Sequence, residues 1–380
     1  MRTEQSKWTP ENGWEHITNS NINDGAQLVL IFGKANHMKE NSLIADIKKR
    51  YPLAKILGCS TSGEIIGTNV VDNSIIVTAV QFDSSHISEN SINIQSVEDS
   101  FDAGKNLVKG FNSAGLKHIF VLSDGLNVNG SELVAGMRSE LPAGVQVTGG
   151  LAGDGADFKE TVVINNSGTA GSKMISAIGL YGENLSIGYG SFGGWDSFGI
   201  DRLVTKSKAN VLYELDNSPA LELYKSFLGE QAQALPASGL LFPLSMRTET
   251  DAQPVVRTIL AVDEDNQSLT FAGDIPEGSY VRLMKANIDR LIDGAVSAAH
   301  TSVEPLNKQN PELAILISCV GRKLVLKQLI EEEVEGVKNV VGNDAAITGF
   351  YSYGEISPFS KDAKCELHNQ TMTITTFKEN

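Results

Sequence analysis

The sequence predicts an α/β protein: two related βαβ-containing halves with mainly parallel sheets and an antiparallel, hairpin-rich insert. Three observations lead there. One strand–helix–strand–turn plan recurs along the chain. Apolar runs alternate with helical stretches of ten to fifteen residues, the rhythm of βαβ units. The chain has 380 residues, 41% of them hydrophobic, which is enough for two or three domains with cores of their own. Acidic residues outnumber basic ones 46 to 31, for a formal charge of −15. That balance repels a phosphate backbone, so no nucleic-acid partner is expected.

The first unit opens on the apolar strand Leu28-Val29-Leu30-Ile31-Phe32 and continues through a helix at Asn41–Arg50 to a second strand, Lys55-Ile56-Leu57. It ends in the turn Gly58-Cys59-Ser60-Thr61-Ser62-Gly63-Glu64. The middle unit runs from His118–Leu122 through a helix at Ser131–Glu140 to Gln146–Thr148 and a shorter turn, Gly149–Asp154. The last unit runs from Leu313–Ile317 through a helix starting about Glu331 to Ala345–Thr348 and the turn Gly349-Phe350-Tyr351-Ser352-Tyr353-Gly354-Glu355. A further strand follows each turn, at Ser74–Phe82, Lys173–Tyr181 and Thr371–Phe377. The first and third turns agree as G-x-x-x-x-G-E-I.

Upstream, Ile92–Val97 and a helix near Phe101–Phe111 precede the middle unit, as Tyr280–Met284 and a helix at Ile288–Ala299 precede the last. This pairing divides the chain into two halves. Between them, residues 183–275 carry hairpin signals, including Val255–Val262 and Ser268–Ala272 around the polar turn Asp263–Gln267. Gly188–Trp195, rich in glycine and aromatic residues, reads as loop or pocket wall. In the last strand Thr371-Met372-Thr373-Ile374-Thr375 alternates polar with apolar, which predicts one solvated or pocket-facing side. Glu331-Glu332-Glu333 reads as the negatively charged opening turn of a helix.

Glycine at both ends of the repeated turn leaves backbone N–H groups free to converge on an anion. The alternative is a tight strand exit, with the glutamate accepting local N–H groups. A nucleotide P-loop is excluded, because Glu64 and Glu355 stand where Lys-Ser/Thr is required. Ser123-Asp124-Gly125 and Ser318–Lys323 lie where parallel strands present their carboxyl ends. There Arg322 suits a ligand carboxylate, or serves as a surface base. The run Glu366–Thr371 adds His368 and Asn369. The candidate ligand-binding set is Cys59, Ser60, Thr61, Gly63, Glu64, Arg322, Tyr351, Tyr353, Glu355, His368 and Asn369. An enzyme using Glu64 or Glu355 as general base, assisted by Cys59 or His368, is the less favoured alternative.

Cys59, Cys319 and Cys365 have no zinc-like spacing and read as reduced structural thiols, and no histidine pair has ligand spacing. Neither a secretory leader nor a run long enough to span a membrane is present, so a cytoplasmic protein without membrane attachment is expected.

Several of these motifs, in order, resemble the FIST family over roughly residues 25–375. They are Gly58–Glu64, Glu214-Leu215-Asp216 with Pro219-Ala220-Leu221 and Tyr224, Cys319–Arg322, Gly349–Glu355 and Leu367–Thr371. The resemblance implies a FIST N domain at 25–215 and a FIST C domain at 216–377. It also implies a cytoplasmic sensor of small ligands, amino acids among them, that feeds a signalling partner. The closing run Gly349–Phe377 is most similar to a bacterial subgroup of nitric-oxide-sensing haem proteins that regulate a histidine kinase or cyclic-di-GMP signalling. That subgroup implies haem b, held non-covalently because no C-x-x-C-H is present, with His368 as axial ligand. An amino acid or other small carboxylate, bound without haem, is the alternative.

Overall fold

The computed structural model describes residues 1–18, 20–248, 254–306, 309–359 and 363–380. All three sequence units form. Their leading strands, Leu28–Gly33, Leu116–Ser123 and Leu313–Cys319, are almost entirely buried. Each passes through a helix, Asn41–Arg50, Gly130–Glu140 or Ile330–Val341, to a parallel second strand, Lys55–Ser60, Gln146–Leu151 or Ala346–Ser352. Asn129 accepts from the N–H groups of Ser131 and Glu132 and so starts the middle helix.

These three strand pairs are the only parallel ones among the described residues, which overturns the expectation of mainly parallel sheets. The cause is local. After the second strand the chain reverses at its exit with no crossover helix, and only such a crossover would carry it back to a parallel position. The returning strands, Ile75–Gln81, Met174–Tyr181 and Met372–Glu379, therefore run antiparallel to the leading strands. An outer strand, Arg2–Thr9, His86–Asn93 or Leu185–Phe192, then pairs antiparallel with each of them.

A strand exchange knits the three units into a ring. Glu64–Ile66, just past the first turn, pairs with the second strand of the third unit. Gly354–Pro358 pairs with that of the middle unit, and Val163–Ile164 with that of the first. The three sheets enclose a shared core in which Leu30, Phe32, Leu57, Phe120, Leu122, Ile315, Ile317 and Phe350 are at most 2% exposed. Each such side chain contributes roughly 1.5–3 kcal/mol by burial. The helices cover the outer faces.

A fourth, antiparallel sheet spans residues 196–285 and lies in sequence between the outer strand and the helix Ile288–Val303 of the third unit. It contains the expected hairpin Ile259–Asp263/Ser268–Phe271. Strand Val211–Leu215, which ends at the expected 215/216 boundary, pairs inside this sheet with Ser268–Phe271. The 188–195 segment is not a loop up to Phe192, because Leu185–Phe192 is a full strand. A Cβ on Gly188 would sit 1.7 Å from Ser302 O, and one on Gly190 2.3 Å from Ala298 O, so the helix packs directly on bare backbone. The threonine face of the last strand is buried rather than solvated. Thr375 Oγ1 donates to Thr148 Oγ1 at 2.8 Å, and Thr373 Oγ1 on the same face lies 2.9 Å from Ser191 Oγ.

The repeated glycine has a structural cause as well. Gly58, Gly149 and Gly349 sit inside the second strands, in register with Ile31, Val121 and Leu316 of the leading strands. A Cβ at these glycines would lie 2.5, 1.8 and 1.9 Å from the carbonyl oxygens of those partners. Gly349→Ala is therefore expected to destabilise the protein by about 1–3 kcal/mol through overpacking, read as a lowered thermal midpoint.

Candidate functional site

The three strand exits meet where the sheets converge, and the exchange brings the sequence-predicted residues together. All eleven are buried. Ser60 exchanges backbone hydrogen bonds with Val162 and Gly153, while Ser62 N donates to Tyr351 O and Tyr351 N to Gly63 O, each at 2.8 Å. Cys59 is fully buried, and burial pushes its thiol well up.

The two glutamates clip the exits shut. Thr61 Oγ1 donates to Glu64 Oε1 at 2.5 Å and Ser74 Oγ to Oε2 at 2.6 Å. Ser352 Oγ donates to Glu355 Oε1 at 2.6 Å, and Thr371 donates to Oε2 through N at 3.2 Å and Oγ1 at 3.0 Å. The middle unit lacks this glutamate. There Asp124 accepts from Thr161 Oγ1 at 2.7 Å and from Lys173 N at 2.5 Å. Ser74, Lys173 and Thr371 each stand immediately before a returning strand, so one carboxylate per unit ties the exit to the strand that follows. Of the two sequence readings of the turn, this geometry is the tight strand exit.

Arg322 meets a carboxylate of the chain itself. It is fully buried, its Nε and Nη2 donate to Glu333 Oε2 at 3.1 and 2.7 Å, and Nη2 also donates to Leu291 O. Its Nη1 donates to Gly193 O. Glu333, placed by sequence in the charged first turn of a helix, is buried and also accepts from Tyr351 Oη at 2.7 Å. These contacts correct the readings of Arg322 as ligand clamp or surface base. Tyr353 Oη donates to Asp154, and its ring stacks on Phe158 at 4.5 Å. Asn369 Nδ2 donates to Tyr353 O at 3.3 Å.

His368 does not fit a haem iron. Burial lowers its pKa to about 4, so the ring is neutral, and its Nε2 faces Ser357 O at 2.7 Å. Nδ1 has no hydrogen-bond partner among the described residues, but the ring is fully buried and meets Phe359 edge-on at 4.3 Å. None of the three cavities below is lined by it. No cluster of metal-binding side chains occurs among the described residues.

The most enclosed of these cavities, about 220 Å³, lies elsewhere, between the helix Asn41–Arg50 and a hairpin of Arg2–Thr9 with Gly13–Thr18. Trp14, Ile47, Tyr51 and Val77 give it apolar walls, and Ser6, His16, Asp46 and Arg50 give it polar groups. Ser6 and His16 face each other across the hairpin, with Oγ to Nδ1 at 3.0 Å. Arg50 Nη1 donates to His16 Nε2 at 2.8 Å. Glu4, fully buried, accepts from Tyr51 Oη at 2.8 Å and from Arg50 Nε at 3.1 Å. Burial opposes the Glu4 charge, but these hydrogen bonds prevail and hold its carboxyl below the ordinary range. The Trp14 indole N–H has no partner among the described residues. Asp46 and Arg50 stand one helical turn apart, so opposite charges share one face. Sequence reasoning missed this cleft. Its one signal was the presence of Trp8 and Trp14, two of three tryptophans, around an alternating Trp14-x-His16 strand.

Two other hollows occur. One, about 560 Å³ and more open, includes Arg138 and Cys365. The other, about 280 Å³, lies on the fourth sheet. No helix among the described residues is long and apolar enough to cross a membrane.

Comparison with known proteins places the chain. An uncharacterized protein of Methanocaldococcus jannaschii is 23% identical over 345 residues, covering 83% of this chain and 64% of that protein. The chain thus spans less than two thirds of that relative's length. Among solved structures, a chorismatase overlaps 99% of this chain and 98% of its own, at 9% identity and a TM-score of 0.36. A cyanuric acid hydrolase from A. caulinodans overlaps 78% of this chain and 99% of its own, at 10% identity and a TM-score of 0.19. Overlap this loose defines neither a shared fold nor a shared activity. The family match is direct: a FIST N domain over residues 27–218 and a FIST C domain over 220–358, so the chain belongs to the FIST family.

Proposed function

We propose that this protein is a small-ligand sensor that takes an amino acid, or a related small carboxylate, in the hairpin cleft. Occupancy is passed to a signalling partner such as a histidine kinase or a cyclic-di-GMP enzyme. The observation that carries this reading is the composition of the cleft. Aromatic and aliphatic walls enclose about 220 Å³ beside one cation and one carboxylate on the same helical face. Pockets that hold small molecules have this character: apolar lining with a few convergent polar groups.

In this reading the ligand carboxylate meets Arg50 and His16, its ammonium meets Asp46, and its side chain packs on Trp14 and Tyr51. The unpaired Trp14 N–H supplies one further donor. The ligand would fasten the hairpin to the helix, and a coupling of about 1–3 kcal/mol makes a useful signal. Haem has no comparable support, given the buried, carbonyl-facing His368.

Thermal-shift screening of amino acids and small carboxylates tests the proposal. A cognate ligand at about 100 times its dissociation constant stabilises by about 2.7 kcal/mol. The shift is expected in the wild type and lost in His16→Ala, whose side chain lies at the exposed rim. Absence of a shift for every amino acid and carboxylate, or an unchanged shift in both His16→Ala and Trp14→Phe, would refute it.

A further inference from the structure

The fourth sheet carries a second polar concavity, which shares no residue with the hairpin cleft. Strands Leu244–Arg247 and Tyr280–Lys285 pair so that Ser245 lies opposite Arg282 and Arg247 opposite Tyr280. Cross-strand partners, and residues two apart on one strand, share a face. One face therefore carries two guanidinium groups, a phenol and a hydroxyl, and Ser197 enters the same face opposite Met284. The hollow they line measures about 280 Å³.

Among the described residues Asp201 is the one carboxylate in this lining, against two arginines. Arg282 Nε donates to Asp201 Oδ1 at 2.8 Å, and Arg247 donates to Oδ2. The Arg247 guanidinium also lies 5.4 Å from the centre of the Tyr280 ring. Each arginine is thus held in place by a fixed partner. The two Nη groups of Arg282 have no partner among the described residues, and its side chain is 41% exposed. Among the described lining residues two arginines face one carboxylate, in a chain whose formal charge is −15. An immobilised guanidinium with an open pair of N–H donors matches a planar or tetrahedral oxyanion, and nearby hydroxyls complete the donor set.

We infer that this concavity is an oxyanion-binding site, in which the Arg282 fork, with Ser245 and Tyr280 beside it, receives a phosphate or carboxylate group. Asp201 orients the arginines and limits the charge, so the site takes a small anion and not a polyanionic surface.

Calorimetric titration of inorganic phosphate, and separately of succinate, into the full chain at low ionic strength tests the inference. Saturable one-site binding of at least one of the two anions is expected, and the stronger binder names the group. Arg282→Gln is expected to weaken binding about tenfold or more. Ser245→Asp sets a carboxylate opposite Arg282 and is expected to abolish binding while the protein melts at or above the wild-type temperature. His16→Ala, which empties the proposed amino-acid cleft of its imidazole, should leave phosphate binding, and the succinate binding that Arg282→Gln removes, unchanged, so failure of one site is distinguishable from failure of the other. No saturable binding of either anion to the wild type, or equal binding by Arg282→Gln, overturns the inference.

Discussion

Arg322→Ala is expected to lower the stability of the folded protein by about 3–5 kcal/mol, because it leaves the buried Glu333 carboxylate without its counter-charge. The loss extends beyond the ion pair. Arg322 also ties Gly193 O and Leu291 O, joining the outer strand of the third unit to the helix Ile288–Val303. Tyr351 Oη depends on the same Glu333. Denaturant or thermal unfolding of the variant checks the value. A double variant, Arg322→Met with Glu333→Leu, should recover much of the loss, since removing both members of a buried pair costs far less than removing one. If Arg322 served a ligand, the single variant would instead fold with wild-type stability and lose only its ligand response.

Glu355→Gln is expected to flatten the pH dependence of stability. Burial raises the Glu355 carboxyl from the ordinary 4.5 to about 8, against the opposing hydrogen bonds of Ser352 and Thr371. Burial likewise raises Glu64 to about 7. Below pH 4.5 folded and unfolded chains both hold these protons. Above it the unfolded chain releases them while the folded chain keeps them, so stability falls as pH rises, by ~1.36 kcal/mol per unit for each group. The fall ends near pH 7 for Glu64 and near pH 8 for Glu355. Glutamine cannot titrate, yet it can donate to Ser352 Oγ and accept from Thr371 N. The variant should therefore gain on the wild type by on the order of 3 kcal/mol between about pH 5 and about pH 8.5, measured by unfolding at both. A parallel decline in both proteins would refute the assignment.

Much of the fold was legible because its signals are local. The helix at Asn41–Arg50 was placed to the residue, and the leading strands announced themselves as continuous apolar runs. The G-x-x-x-x-G-E turn was legible as a repeat and not as a clip. Its first glycine answers to a carbonyl on a neighbouring strand, and its glutamate answers to Ser74 or Thr371, more than nine residues downstream. The same limit applied to Arg322. Nothing in Cys319-Val320-Gly321-Arg322 says that the arginine turns inward to a helix residue placed eleven positions later. The cleft escaped because its polar groups come from a hairpin and a helix about thirty residues apart, with no shared motif.

By itself, the sequence determined the three strand–helix–strand units, their glycine spacing and the FIST resemblance, all of which rest on periodicity and short-range order along the chain. The tertiary structure decided the rest. It set the antiparallel returns, since strand direction depends on which neighbour a strand meets. It set the exchange that pairs Glu64–Ile66 with Thr348–Phe350, nearly three hundred residues away. It also sorted the polar residues. Those at the strand exits were buried, with Glu64, Glu355 and Arg322 paired to groups of the chain itself, because three sheets close on one core there. His16 at the rim of the hairpin cleft and Arg282 on the fourth sheet stayed at the surface, and Arg282 keeps donors to offer.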